Sequence, residues 1–221
     1  MKSLMAVAQG RLDRAQQLLS EIGDHGVAFE ESLSSGKVTA ELASQVRQVA
    51  VLLRSALDQA ARALVAGAGW VGGDCDVVFP VAPRGSTQAD FAAQLRAWLP
   101  NGLQLELESI AALNSAQPFF GSDWLLDLDR ASAADGLVLA VKRVPFTQVE
   151  TARQDGSTEN RLVPAPKSSA GNVLLLQPTG GGSQDAFEAV CVLVEPAGED
   201  VLVFLEEAVR GVRGVVSRLG A

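Results

Sequence analysis

The chain has 221 residues, 48% of them hydrophobic and 20% charged, with a formal net charge of −8. That length and balance describe a globular chain able to bury a real core, and no apolar run approaches the ~20 residues a membrane-spanning helix requires. The acidic balance argues against nucleic acid as a partner, since phosphates are repelled unless basic residues cluster, and Lys142-Arg143 is the only adjacent basic pair. A single histidine, His25, and two cysteines, Cys75 and Cys191, are too few for a disulfide framework or a zinc site. No cofactor or metal is implied, and a cytoplasmic location is expected because the N-terminal apolar stretch is too short for a secretion signal.

Taken in order, the chain opens with one long predicted helix over residues 3–33. Leu12, Ala15, Leu19, Ile22, Gly26, Phe29 and Leu33 recur at alternating steps of three and four, with Gly23 and Gly26 as points of kinking. After Ser34-Ser35-Gly36, Thr39 is placed to cap a second helix reaching about Ala66. Its seam is Leu42, Val46, Val49, Leu53, Ala56, Ala60 and Ala63, and the short connection predicts an antiparallel hairpin. Leu52, Leu57 and Leu64 lie off that seam and need a cover. The C-terminal helix, the middle helices or a second copy of the chain would provide one, and a homodimer through the helical core is the expectation.

Val77-Val78-Phe79-Pro80-Val81 reads as a short extended piece, with Pro80 arguing against a central strand. Ser86 or Thr87 is expected to cap a helix through Phe91, Leu95 and Trp98. Leu103 to Leu113 fits either a strand or a helix, and the helix is preferred for its Glu, Ala and Leu content, with Leu103, Leu107, Ile110 and Leu113 as its stripe. Ser122 is expected to cap a helix through Trp124, Leu125, Leu128 and Ala131.

Beyond Gly136 the texture becomes β-like at Leu137–Val141, Asn172–Leu176 and Phe187–Glu195, predicting a small antiparallel sheet. The polar stretch 151–171 is expected to be a mobile loop carrying at most a short strand. Asp200 caps a closing helix whose apolar face is Leu205, Ala208, Val209, Val212, Val215, Val216 and Leu219. The expected fold class is α+β in a single domain, 1–221. Residues 1–135 form a mainly helical part, a helical hairpin or bundle, and residues 136–221 a β segment plus the C-terminal helix.

One stretch carries more than packing. In Leu53-Arg54-Ser55-Ala56-Leu57-Asp58-Gln59, Arg54 and Asp58 are the only charges between Arg47 and Arg62. With Arg11-Leu12-Asp13-Arg14-Ala15 before it and Phe79-Pro80-Val81, Gln117-Pro118-Phe119 and Trp124-Leu125-Leu126 after it, this motif resembles a family of uncharacterised bacterial proteins with a HEPN-like helical core. The resemblance implies a helical Arg and a His a few residues apart, acting on RNA at a helix–helix dimer interface. Here Gln59 stands where the His is expected. A second polar cluster expected after the Trp-Leu motif is replaced by Ala131-Ser132-Ala133-Ala134-Asp135-Gly136. Glutamine does not titrate near neutral pH and shuttles no proton.

No catalytic residue is therefore assigned. Arg54, Asp58 and Gln59 form a degenerate motif, and an Arg54–Asp58 pair at i,i+4 spacing is its plainest reading. The leading expectation is a non-catalytic protein that self-associates or binds a protein partner. The alternative is a HEPN-type nucleic-acid binder or ribonuclease with an altered site, in which Arg54, Arg47, Arg62, Lys142 and Arg143 converge. A regulatory partner in a defence locus is a third reading. Asp127, Asp129 and Asp135 match no calcium loop, and Gly180-Gly181-Gly182-Ser183 lacks the lysine of a phosphate loop.

Overall fold

A computed structural model of the chain describes residues 2–23, 26–70, 77–99, 103–121, 123–133, 136–152, 158–164, 174–176, 186–195 and 198–220, with Lys2, Glu195 and those of 143–191 by backbone only. The elements run α1 Lys2–Gly23, α2 Val27–Ser35, α3 Ala40–Gly67, α4 Gln88–Trp98, α5 Leu107–Ser115, a 3₁₀ turn Pro118–Phe120, and α6 Trp124–Ser132. Then come β1 Val138–Ala152, β2 Thr158–Pro164, β3 Leu174–Leu176, β4 Ala186–Glu195, β5 Glu199–Asp200 and α7 Val201–Leu219. The class is α+β, as the sequence pattern implies. The chain divides into two compact units: residues 1–19, 47–136 and 205–221 in the first, residues 20–46 and 137–204 in the second.

In the first unit α3 supplies the spine. Leu53, Ala56, Leu57 and Ala60 are fully buried, and Phe79, Phe91, Leu113, Leu125 and Leu128 are at most 1% exposed. The alanines keep this face narrow enough for neighbours to approach closely. Arg11 of α1 donates to Ser55 Oγ, and Arg213 of α7 donates to Gln16 Oε1 of α1, so both outer helices are tied by side chains as well as by their apolar stripes. Leu57 is buried and Leu52 and Leu64 half-buried, so the off-seam leucines are largely covered within the chain itself. Thr87 caps α4 through a reciprocal box: its Oγ1 accepts from the Asp90 N–H at 3.2 Å and the Asp90 carboxylate accepts from the Thr87 N–H at 2.8 Å.

In the second unit an antiparallel sheet has the order β2-β1-β4-β3, with β5 also pairing β4. Register is set by pairs such as Val141 with Val192 and Val149 with Arg161. Helix α2 packs on β4. The turn from α2 into α3 is closed by Ser32, whose Oγ accepts from the Thr39 N–H at 3.0 Å, while Thr39 Oγ1 accepts from the Leu42 N–H at 3.2 Å. Gly36 ends α2 at φ 68°, the left-handed geometry a helix terminus favours. At the close of β5, Asp200 Oδ1 accepts from the Leu202 N–H at 2.9 Å and caps α7 as expected.

Four details differ from the sequence reading. The single helix expected over 3–33 is two, because Gly26 leaves helical geometry at ψ 118° and α2 starts afresh from its carbonyl. Of the adjacent pair on α1, Leu18 is buried beside Leu12 and Ala15 in the core, and Leu19 is only half-buried. Helix α5 begins at Leu107 rather than Leu103, and Leu107 points outward at 84% exposure instead of joining a core stripe. The polar stretch after Thr151 contributes the seven-residue strand β2 alongside β1. Ser122 lies outside the described residues, and Asp123 holds the N-cap position of α6 without a side-chain cap bond. No helix among the described residues is long and apolar enough to cross a membrane.

Candidate functional site

Pro80 has no N–H to give a strand ladder, yet Val77, Phe79, Pro80 and Ala82 are buried. Buried backbone polar groups require partners, and side chains from three directions provide them. From α3, Arg62 Nε donates to Val77 O at 3.2 Å. Arg54 Nη2 donates to Phe79 O at 3.1 Å, and Asp58 Oδ1 accepts from the Phe79 N–H at 2.8 Å. From α4, Trp98 Nε1 donates to Val78 O at 2.8 Å and Gln94 Nε2 to Val81 O at 3.1 Å. Beyond α5, Gln117 Nε2 donates to Pro80 O at 3.1 Å and its Oε1 accepts from the Ala82 N–H at 2.8 Å. The segment is a strap held almost wholly by side chains.

Arg54 and Asp58 thus sit at the centre of this clamp. Arg54 and Asp58 face each other at 3.6 Å and grip both backbone groups of one residue, Phe79. A third group, Asp129 of α6, lies 3.3 Å from Arg54 Nη1, and that nitrogen makes no aligned hydrogen bond although it is buried. Arg54 is 16% exposed and its charge faces two carboxylates. Gln59 is 7% exposed. Its five-residue offset turns it about 140° round the helix from Arg54.

Electrostatics alongside the clamp centre on α6. Arg84 pairs with Asp123 at 2.8 Å, and Arg130 with Asp127 at 3.1 Å. Asp127 is pushed above the usual carboxylate range, chiefly by burial. Arg130 opposes the shift, Asp123 adds to it, and Arg84 opposes it again.

Of the other basic candidates, Arg62 shares the strap with Arg54, Arg47 is exposed on α3, and Lys142 is exposed on β1 in the second unit. The side chain of Arg143 lies outside the described residues, as do His25, Cys75, Asp135 and the glycine turn at 180–183; Cys191 is described only by its place in β4. Among the described residues no three His, Cys, Asp or Glu side chains group as metal ligands.

Sequence alone did not place Gln94, Trp98 or Asp129 at the strap; Arg62 was grouped with Arg54 only as one of five basic residues, and Gln117 appeared only in the Gln117-Pro118-Phe119 motif. The one available signal was Pro80 within an apolar stretch, which announces backbone groups that no ladder can satisfy. No protein-family model, curated protein or solved structure matches the chain.

Proposed function

We propose that this chain is a non-catalytic HEPN-like protein that works through protein–protein association, first with a second copy of itself. The observation that carries the non-catalytic part is the engagement of Arg54. Its guanidinium holds Phe79 O and faces Asp58 and Asp129. RNA cleavage needs a proton shuttle near the 2′-hydroxyl and a cation open to the phosphate. Gln59 supplies no proton transfer, and a phosphate would have to displace two carboxylates from Arg54. The acidic net charge of −8 adds repulsion. Association is supported by apolar side chains left outward in the first unit, Leu107 at 84% and Phe120 at 59% exposure.

The test pairs two measurements on the purified chain: incubation with total and structured RNA beside an Arg54→Ala control of unchanged circular dichroism, and light scattering across concentrations. No cleavage and a concentration-dependent dimer are expected. Cleavage by the parent that the control loses would overturn the non-catalytic reading. Low-micromolar RNA binding at about 150 mM salt, falling steeply with added salt, would establish the nucleic-acid alternative.

A further inference from the structure

Helix α5 carries an unusual outward face. Leu107, Ala111 and Ser115 are spaced at four-residue steps, so they line one stripe, and all three are exposed while Ala112 and Leu113 are buried. Leu107 is the most exposed of the large apolar side chains described, at 84%. It stands between Glu106 and Glu108, both exposed. The result is a single apolar knob with a carboxylate on each side, followed along the stripe by small residues only.

At the other end of the same helix is a groove of about 180 Å³. Ser115 forms one wall, Arg210, Gly211, Gly214 and Arg218 of α7 the other, and the Trp124 indole closes it. Gly211 is required by close approach, because a Cβ there would lie 2.4 Å from the Trp124 ring. Gly214 is not required by packing: a Cβ there meets nothing within 4 Å. Its absent side chain leaves the groove open. Arg218 donates to Ser115 Oγ at 2.8 Å, whereas Glu106, Glu108 and Arg210 carry no side-chain hydrogen bond or ion pair among the described residues. The volume is below the ~300 Å³ at which drug-sized ligand pockets begin, and suits one inserted side chain.

We infer that a second copy of this chain fills the groove. Two α5 helices lie antiparallel across a two-fold axis near Ala111, and the Leu107 of each copy seats against Gly214 and Trp124 of the other. Knob and groove are one helix length apart, about 12 Å for the eight steps from Leu107 to Ser115. An antiparallel pair therefore brings both knobs to both grooves at once, and closes as an isologous dimer. Ala111 and Ser115 let the helix axes approach closely at the crossing. Glu106 and Glu108 of each copy face Arg210 and Arg218 of the other, which fixes the register and offsets the repulsion between two acidic chains. The inference rests on the self-association reading above, and moves the contact from α3, whose off-seam leucines are already largely covered, to α5 and α7.

The experiment is light scattering with size exclusion on the full chain from about 5 to about 200 µM. Four proteins are compared with the parent: Leu107→Glu, Gly214→Leu, the pair Glu106→Arg/Glu108→Arg, and the pair Arg210→Glu/Arg218→Glu. Circular dichroism checks the fold of each, and all substituted side chains are exposed or enter open space. The parent is expected to approach twice the 23.1 kDa chain mass. Each seated leucine is expected to contribute about ten- to a hundredfold in affinity, and the two-fold uses it twice, so Leu107→Glu weakens the dimer at least about a hundredfold. Gly214→Leu plugs both grooves and should also give monomers. The two charge-reversed proteins should each be monomeric, yet form a heterodimer when mixed, because every reversed knob then meets a reversed groove.

A dimer that survives all four changes overturns this interface and leaves self-association standing. So does failure of the mixed charge-reversed proteins to associate, provided that the parent dimerises. A parent that stays at the monomer mass throughout overturns the self-association reading as well. Capture of an acidic partner by a monomeric parent, blocked by Gly214→Leu, overturns the second copy as occupant.

Discussion

Replacing Gln117 with methionine tests whether the strap is held as described. The side chain is 1% exposed and makes three hydrogen bonds, to Pro80 O at 3.1 Å, to Leu113 O at 3.0 Å and from the Ala82 N–H at 2.8 Å. Methionine is close in length and volume, so the change removes polarity with little cavity. Leu113 O keeps a second donor, the Ala116 N–H. Pro80 O and the Ala82 N–H are left in buried residues with no partner, at about 1–3 kcal/mol each, less a fraction returned by the more apolar side chain. The net loss is about 3 kcal/mol, against total stabilities of about 5–15 kcal/mol, or a fall in Tm of about 6–12 °C for a chain of this size.

Denaturant unfolding followed by tryptophan fluorescence is the assay, because Trp70, Trp98 and Trp124 all belong to the first unit. Gln94→Met is the matched control. It loses one bond to Val81 O, and both residues are only half-buried, so water replaces it and the cost stays below about 1 kcal/mol. Equal effects of the two substitutions, or a Gln117→Met loss under about 1 kcal/mol, would refute the claim that these bonds hold the strap in place of a sheet.

Further expectations follow from single contacts. Gly214→Ala should stabilise α7 by up to about 1 kcal/mol, since its Cβ enters open space, whereas Gly211→Ala should cost about 1–3 kcal/mol by driving Trp124 off the helix; opposite Tm shifts are the readout. Asp127 binds its proton more tightly folded than unfolded, so its contribution to stability is greatest at acid pH and is lost as the pH rises through its raised folded value; Asp127→Asn should flatten that part of the stability–pH curve. Asp90 shifts the other way, held low first by the Thr87 backbone N–H and then by its hydroxyl, so its contribution is present above the unfolded value and lost as the pH falls through the folded one. Thr87→Ala should move the Asp90 midpoint upward in an NMR titration.

Much of the fold was legible because periodicity reports burial directly. Every residue of the α3 seam, from Leu42 through Val46, Val49, Leu53, Ala56 and Ala60 to Ala63, is at most 1% exposed. The caps at Thr39, Thr87 and Asp200 were readable because capping is local: the side chain serves N–H groups two or three residues on. What escaped is non-local. Phe79 lies 25 residues from Arg54, and Ala82 lies 35 from Gln117, and no spacing rule links them. Leu107 fits a helical stripe by sequence, yet as the first residue of α5 it has no preceding turn to set it over the core, and it faces outward. Arg54 and Asp58, an i,i+4 pair by sequence, lie 3.6 Å apart. Their partner was the backbone of a distant residue, which composition cannot reveal.

The same geometry decides whether a histidine at position 59 would confer activity. Gln59→His would place at position 59 the residue type that the HEPN-like resemblance implies. Position 59 is 7% exposed, and burial there would favour the neutral imidazole, which still accepts a proton in principle. The obstacle is the cation. Arg54 is fixed by Phe79 O and lies 3.6 and 3.3 Å from the carboxylates of Asp58 and Asp129. An incoming phosphate must break those contacts and orphan the Phe79 carbonyl, at about 1–3 kcal/mol for that group alone. It must also approach two like charges in a half-buried setting. Gln59→His is therefore expected to cleave RNA no faster than the parent in a single-turnover assay with excess protein. Cleavage that appears with Gln59→His and disappears in Gln59→His/Arg54→Ala would show that Arg54 is free to leave the strap, and would return the chain to the ribonuclease reading.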